Sequence, residues 1–216
     1  MGWSDGYTSI FGLNSVSNLG RCGYCRKVFW LDDAEELGVL PKESSAIGAF
    51  SRIYHRLTGD AAGLLERERD WNETPWEWKS AKPAEMPDFF DLKTALADKE
   101  SLTSEREMWV RRALWFHGND HLRLNRDGKP VRDKPRMSDE EVRQNMQALL
   151  ALVELGLDSP ILEKGELLRE LGRFDEAITV LSGIEGDFKE QADLIAGFAR
   201  SRNSVVREVW RSQFDY

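Results

Sequence analysis

The stretch ILEKGELLRELGRFDEAITVLSGI, residues 161–184, decides the fold class because its apolar residues recur at helical spacing on both sides of one glycine. Gly172 favours the left-handed conformation that ends many helices, so we predict one helix before it and a second helix from about Phe174. Gly165 and Ala177 are small residues at the positions where the two helices would cross, which permits close backbone approach. The stretch therefore predicts an antiparallel helical hairpin.

This hairpin resembles one helix-turn-helix unit of the tetratricopeptide repeat family. The matching positions are Gly165, Leu168, Leu171, Gly172, Phe174, Ala177, Ile178 and Leu181. The resemblance implies a scaffold that binds a protein or peptide partner, with the first helix lining a concave surface. A repeat array needs about three units to bury a continuous core, and only one unit fits well here. The C-terminal region is therefore either a degenerate repeat pair or a five-helix bundle.

Capping patterns predict further helices in the C-terminal region. Ser138 and Glu141 form a capping-box pattern before an apolar stripe that Gly156 is placed to end. Asp187 and Glu190 repeat the pattern before another stripe, and a last helix is predicted from Asn203 to Phe214. Helices are also predicted over Ser45–Leu57, Asp88–Ala97 and Ser104–Phe116, the last with a Ser104–Glu107 box.

Composition indicates a globular chain. It has 216 residues, 41% apolar content, eight tryptophans and a net charge of −8. We predict a mainly α fold with a CxxC knuckle segment at 1–40, an aromatic-rich helical region at 41–137 and a tetratricopeptide-like domain at 138–216. We expect a cytoplasmic protein without a membrane partner, since no apolar run approaches about 20 residues. The loop at 122–137 is basic but lacks stacking aromatics, which disfavours nucleic acid as a partner.

Three tryptophans lie in the central region, in the sequence DWNETPWEWK. Pro75 and the alternating polar residues argue against a long helix there. Trp71, Trp76 and Trp78 either anchor this loop on the core or form a recognition surface.

The chain has two cysteines, Cys22 and Cys25, and their CxxC spacing allows both thiolates to hold one metal ion. The surrounding RCGYCRKVFW resembles one knuckle of a zinc ribbon, which implies a short β-hairpin and two zinc ligands. A closed zinc site needs four ligands. The remaining two would come from His55, His117, His121 or a carboxylate, and we expect at most one zinc ion.

Other interpretations of the cysteine pair stay open. His117 and His121 could share one helix face and complete the site, but Gly118 and Asn119 resemble a helix stop that would separate them. The spacing also occurs in thiol-redox enzymes, although the preceding SVSNLGR is too polar for the strand that such a fold needs. Two reduced structural thiols are the third interpretation.

We predict no catalytic residues, because the sequence has no glycine-rich phosphate loop, nucleophile elbow or paired-histidine helix with a general-base glutamate. Protein–protein interaction is the favoured function, and a metal- or thiol-dependent enzyme using Cys22 and Cys25 is the alternative. On the first helix of the hairpin, Glu163, Glu166 and Glu170 with Arg169 are predicted to face outward as an acidic stripe. Such a stripe is usually a solvated helix face, but on the concave surface that the repeat resemblance implies it would favour a basic peptide.

Overall fold

The computed structural model describes residues 2–6, 18–38, 40, 69–124, 128–156 and 161–210. In chain order, the strands and helices are β1 (Gly2–Trp3), β2 (Leu19–Arg21), β3 (Val28–Trp30), α1 (Trp76–Lys79), α2 (Phe89–Ala97), α3 (Ser104–Asn119), α4 (Asp139–Glu154), α5 (Ile161–Glu170), α6 (Phe174–Ser182), α7 (Lys189–Arg200) and β4 (Glu208–Trp210). Short 3-10 turns cover Leu31–Asp33 and Gly186–Phe188. The predicted mainly helical fold with a small antiparallel hairpin near the N-terminus is confirmed.

The chain divides into two compact units. We call Met1–Ser17 together with Pro87–Tyr216 the helical unit, and Asn18–Met86 the cysteine unit. The helices α2 and α3 therefore belong to the same unit as the C-terminal helices. This division does not coincide with the three segments predicted from the sequence.

The predicted helical hairpin is present as α5 and α6. Gly172 has a φ of +77°, and the turn closes with hydrogen bonds from Arg173 N to Leu168 O (2.8 Å) and from Gly172 N to Arg169 O (3.0 Å). A Cβ atom added at Gly165 would lie 2.5 Å from Leu181 Cγ, so the two helices do approach closely there. The core of the helical unit includes Met108, Trp115, Met146, Leu149, Leu150, Val153, Leu167, Leu168, Ala177, Leu181, Ala192, Ile195, Ala196 and Ala199.

A pair of glycine substitutions tests this close approach. We expect Gly165→Ala to destabilise the protein by about 1–3 kcal/mol, because Leu181 is 1% exposed and has little room to move away from the added methyl group. Gly197→Ala in α7 is the matched control, since a Cβ there meets nothing within 4 Å. It should stabilise the protein by about 0.5–1 kcal/mol through helix propensity. Urea denaturation measures both, and equal effects would contradict the tight crossing.

Local signals were confirmed at several other helix ends. Ser138 and Glu141 form the predicted capping box, and Gly156 follows α4 with a φ of +79°. The α2 helix covers nearly the predicted range, and α3 begins at Ser104 as predicted. The cap of α3 is Thr103 instead of Ser104, since the Thr103 side chain accepts from Arg106 N. The predicted helix over Ser45–Leu57 lies outside the described residues.

Two C-terminal predictions are wrong. The Asp187–Glu190 capping box does not form, because a 3-10 turn precedes α7 and Phe188 occupies its N-cap without a side-chain hydrogen bond. The helix predicted from Asn203 is absent over 203–210, where the chain turns and forms β4. This strand pairs antiparallel with β1, with Gly2 opposite Trp210, so the chain start imposes its conformation. Residues 211–214 of that prediction lie outside the described residues.

The cysteine unit contains the β2–β3 hairpin and the tryptophan-rich sequence. Leu19 pairs with Trp30 and Arg21 with Val28 in the hairpin, and Arg21 also bridges to Glu85. In the tryptophan-rich sequence, residues 70–73 are helical, and the four-residue helix α1 follows Pro75. Trp71 and Trp78 are half-buried, whereas Trp76 is 74% exposed.

In the described part of the chain, none of the helices is long and apolar enough to span a bilayer.

Candidate functional site

A groove of about 1100 Å³ lies on the helical unit beside the predicted repeat hairpin. Its walls come from the chain start at Trp3–Gly6, from α3, from the first turn of α5, from the loop that joins α6 to α7, from α7 and from β4. We call it the acidic groove. Its lining includes Trp3, Asp5, Arg112, Phe116, Ile161, Leu162, Glu163, Ile184, Glu185, Asp187, Phe188, Glu190, Gln191, Leu194 and Val209.

Large apolar side chains line the acidic groove. Trp3 is only 6% exposed, but Ile161 is 60%, Phe188 is 61% and Leu194 is 43% exposed. The three exposed residues come from separate places in the chain: Ile161 from the start of α5, Phe188 from the 3-10 turn and Leu194 from α7. Apolar side chains that stay exposed to water do not stabilise a monomer. Clusters of such side chains mark interaction sites more often than isolated exposed residues do.

The carboxylates of the groove fall into two groups. Glu163 accepts from both Arg112 Nε (2.9 Å) and Arg112 Nη2 (2.8 Å), so its charge is neutralised locally. Glu185, Asp187 and Glu190 are exposed on the α6–α7 loop and the first turn of α7. Within the described residues, these three carboxylates have neither a hydrogen bond nor an ion pair from their side chains. The loop edge of the groove is therefore negatively charged.

The predicted solvent-facing acidic stripe on α5 is wrong. Glu166 is 1% exposed, Arg169 is 0% exposed and the Glu170 side chain is 4% exposed, and the Glu163 side chain is 9% exposed beside Arg112. The face is covered because Ser4 and Asp5 from the chain start and the segment around Asn203–Val205 pack against it. Glu166, Arg169 and Glu170 therefore belong to an internal network, whereas Glu163 pairs with Arg112 in the wall of the groove.

Arg169 is the centre of one half of the buried network. Its Nε donates to Glu166 Oε2 (2.7 Å) and its Nη2 to Glu166 Oε1 (2.5 Å). Nη1 donates to the carbonyls of Asn203 and Val205, and Nη2 lies 3.4 Å from Ser4 Oγ. A single guanidinium thus connects α5 to both chain ends that form the β1–β4 sheet.

Arg123 is the centre of the other half. It is 0% exposed, donates to Asp5 and the Phe116 carbonyl, and lies 3.0 Å from Asp120 Oδ1. Asn119 Nδ2 joins the halves by donating to Asp5 Oδ2 (3.0 Å) and Glu170 Oε2 (3.1 Å).

Glu170 is the group that this network perturbs most clearly. Burial raises the pKa of its carboxyl well above the usual value, and the nearby carboxylates of Glu166 and Asp5 raise it further. A hydrogen bond from Trp115 Nε1 (2.9 Å) and the Arg169 charge act in the opposite direction. The sequence grouped Glu166, Arg169 and Glu170 on one helix, but it gave no signal for their partners near positions 4–5 and 119–123, which lie far away in the chain.

The predicted histidine ligands have ordinary structural partners. The α3 helix ends at Asn119, as the Gly118–Asn119 stop predicted, so His121 lies beyond it. His117 Nδ1 lies 3.1 Å from Asp120 Oδ2, and His121 Nδ1 lies 2.9 Å from Gly118 O. Both histidines belong to the helical unit, whereas Cys22 and Cys25 belong to the cysteine unit. His55 lies outside the described residues.

Cys22 and Cys25 lie in the turn between β2 and β3, and both are free thiols. Hydrogen bonds from the backbone N–H groups of Cys25 and Tyr24, and from the Cys25 side chain, lower the pKa of the Cys22 thiol. Cys22 is half-buried and Cys25 is exposed. In the part of the chain that the structure describes, no group of three or more His, Cys, Asp and Glu residues is placed to hold one metal ion. The zinc and thiol-enzyme interpretations stay predictions.

Comparisons with protein-family models, with curated proteins and with solved structures give no match to this chain.

Proposed function

We propose that this chain is a non-enzymatic interaction protein whose helical unit binds a basic, amphipathic peptide segment of a partner protein in the acidic groove. The supporting observation is that one groove combines exposed Ile161, Phe188 and Leu194 with the carboxylates of Glu185, Asp187 and Glu190, which have no ion pair among the described residues. Apolar contact and negative charge on one surface match a segment that carries both leucine-like and lysine-like side chains.

The size of the acidic groove favours a peptide over a small molecule. Pockets for small molecules have volumes of roughly 300–1,000 Å³ and bury most of the ligand. The acidic groove, at about 1100 Å³, lies above that range, and several of its apolar residues remain open to solvent. A peptide helix with apolar residues at i, i+3 or i+4 and i+7 would bury these exposed groove residues when it binds. Burial contributes about 1.5–3 kcal/mol for each large apolar side chain.

The charged edge contributes specificity. Exposed carboxylates on a groove edge steer a basic segment during encounter and repel an acidic one, and salt screens both effects. We therefore expect affinity that falls with ionic strength. We assign no catalytic role to the residues of the groove.

Helix packing supports the repeat resemblance within this proposal. The α7 helix packs against both α5 and α6, and α4 packs against both α3 and α5. The first helix of a following repeat would contact both helices of the preceding repeat in this way. We propose that α5, α6 and α7 form a degenerate tetratricopeptide-like stack, with the acidic groove at the end where α5 and α7 begin.

A peptide-display selection tests the proposed function. The full chain is immobilised and challenged with a library of random 16-residue peptides. We expect enrichment of sequences in which lysine or arginine alternates with leucine or aromatic residues at helical spacing. Fluorescence anisotropy with one enriched peptide should then show that Phe188→Ala weakens binding by about tenfold or more, as truncation of a central apolar anchor does.

Charge reversal supplies the matched comparison. We expect the affinity for that peptide to fall by about 100-fold in a triple variant with Glu185→Lys, Asp187→Lys and Glu190→Lys. The helical circular dichroism spectrum should be unchanged. The control variant Glu35→Lys, Glu36→Lys, Asp133→Lys makes the same charge change at exposed positions that do not line the groove. Equal weakening by both variants, or a selection that enriches no basic amphipathic sequence, would overturn the proposal.

A further inference from the structure

Cys22 and Cys25 lie in a tight turn whose geometry brings the two thiols close together. Cys22 N donates to Lys27 O (2.9 Å), and Arg26 N donates to Cys22 O (3.0 Å), which closes a tight loop between β2 and β3. Arg26 takes a φ of +63°, an uncommon conformation for a residue with a side chain. The backbone N–H groups of Tyr24 and Cys25 donate to the Cys22 sulfur, and the Cys25 side chain hydrogen-bonds to it as well. The two sulfurs therefore lie within hydrogen-bonding distance of each other.

Contacts from residues 80–85 hold this turn in place without any metal. The Tyr24 hydroxyl donates to Ser80 O and accepts from Lys82 N (3.1 Å). Glu85 accepts from Arg21 and Arg26, each at 2.6 Å. Gly23 packs so closely that an added Cβ would lie 2.8 Å from Lys82 Cβ. A turn fixed in this way has its two thiols pre-organised for a ligand.

The donor set fits zinc but supplies only half of its coordination shell. Zinc in structural sites takes four ligands in a tetrahedron, and thiolates are among its preferred donors. The described residues place no third His, Cys, Asp or Glu beside the two cysteines. Cys25 is exposed and Cys22 half-buried, so the open side of the pair is accessible to another molecule.

The surrounding charge suits a site of four thiolates. Zinc with four thiolates carries a net charge of −2. The turn is surrounded by the basic residues Arg21, Arg26, Lys27 and Lys82, with Glu85 as the acidic partner. Two copies of this basic surface repel each other in the absence of metal, whereas a shared anionic centre would be stabilised between them.

We propose that two copies of this chain share one zinc ion through Cys22 and Cys25 of each copy, which makes the protein a zinc-dependent dimer. The inference is independent of the acidic groove, because every residue that supports it lies in the cysteine unit. The occupant that we assign to the open side is a second copy: the chain has only two cysteines, and the identical pair of a second copy completes a four-thiolate tetrahedron by symmetry.

The stoichiometry of the full-length, reduced protein tests this proposal. We expect native mass spectrometry to find one zinc ion per two chains, and sedimentation to show a dimer with zinc that becomes a monomer after chelation. Cobalt(II) should replace zinc and show the charge-transfer absorption of four thiolates per metal ion. A monomer with one zinc ion per chain, or a protein that binds no zinc, would overturn the proposal.

Ligand variants separate the shared site from a site completed by histidines. Cys25→Ser should lose both zinc and dimerisation, and a tagged wild-type chain should capture untagged wild type, but not Cys25→Ser, in the presence of zinc. The controls are His55→Ala and the His117→Ala, His121→Ala double variant, which should keep the zinc and the dimer. Loss of zinc from either histidine variant with an unchanged circular dichroism spectrum would instead assign ligands from the same chain.

Discussion

Replacing Arg169 with alanine should destabilise the protein by about 3–5 kcal/mol, because it leaves the Glu166 carboxylate buried without its counter-ion. Glu166 is 1% exposed and receives two hydrogen bonds from the guanidinium. The same substitution removes the donors to the Asn203 and Val205 carbonyls, which costs further free energy if water does not replace them. Urea denaturation at pH 7 measures the change in the free energy of unfolding.

Arg173→Ala is the matched control for this measurement. Arg173 and Glu176 form a two-hydrogen-bond pair at 2.8 and 2.5 Å with the same i,i+3 spacing as Arg169 and Glu166. Their side chains are 43% and 57% exposed, so solvent screens this pair and its loss should destabilise the protein much less than the loss of the buried pair. If Arg169→Ala costs no more than Arg173→Ala, the buried network does not stabilise the fold.

A double variant distinguishes the effect of an unpaired charge from the value of the ion pair itself. Removing both charges with Arg169→Met and Glu166→Met should recover part of the stability that Arg169→Met alone loses, because no buried carboxylate then lacks a partner. Failure to recover any stability would assign the loss to the Asn203 and Val205 carbonyls.

Local sequence signals predicted the helices that depend on local interactions. Ser138 with Glu141 and Gly172 each act within a few residues of the element that they start or end, and the structure contains their hydrogen bonds and backbone angles. Gly165 was likewise predictable, because a small residue on the same helix face as Ile161 and Leu168 indicates a helix crossing. The helical hairpin therefore follows from residues 161–184 alone.

Interactions between distant residues account for two of the predictions that are wrong, the helix from Asn203 and the solvent-facing stripe on α5. Val206 and Val209 have a helical spacing, but the backbone around them pairs with Gly2–Trp3 about 200 residues earlier. Glu166 and Arg169 fit the pattern of a solvated helix face, yet the chain start covers them. Sequence periodicity shows which residues share a face, but not whether a distant segment will bury that face.

The acidic groove was not predictable for the same reason. Asp187 and Glu190 were interpreted as a capping box, which assigns their charges to a helix end. The structure instead places a 3-10 turn there and leaves both carboxylates exposed beside Phe188. The remaining walls come from residues near positions 3, 112 and 209, which only the folded chain brings together.

Glu170→Gln should change the pH dependence of stability, because the folded state holds the proton of this carboxyl more tightly than the unfolded state does. Burial and the carboxylates of Glu166 and Asp5 raise its pKa well above the usual glutamate value of 4.5, although the Trp115 hydrogen bond and the Arg169 charge act to lower it. At pH values between 4.5 and the pKa of Glu170 in the folded state, the folded state binds more protons than the unfolded state. The contribution of Glu170 to stability is therefore fully present below pH 4.5 and is lost as the pH rises through the folded pKa.

Glutamine imitates the neutral carboxyl and removes this titration. Urea denaturation at a series of pH values from 4 to 9 should show the stability of Glu170→Gln rising relative to wild type above pH 4.5, by up to about 1.4 kcal/mol per pH unit for one proton. The difference should become constant once the pH exceeds the folded pKa. Glu176→Gln is the control: a hydrogen bond from Arg173 lowers the pKa of that exposed carboxyl below 4.5, so its difference from wild type should not vary with pH above 4.5. A difference between Glu170→Gln and wild type that does not vary with pH would show that Glu170 stays ionised in the folded core, with Asn119, Trp115 and Arg169 sufficient to hold its charge.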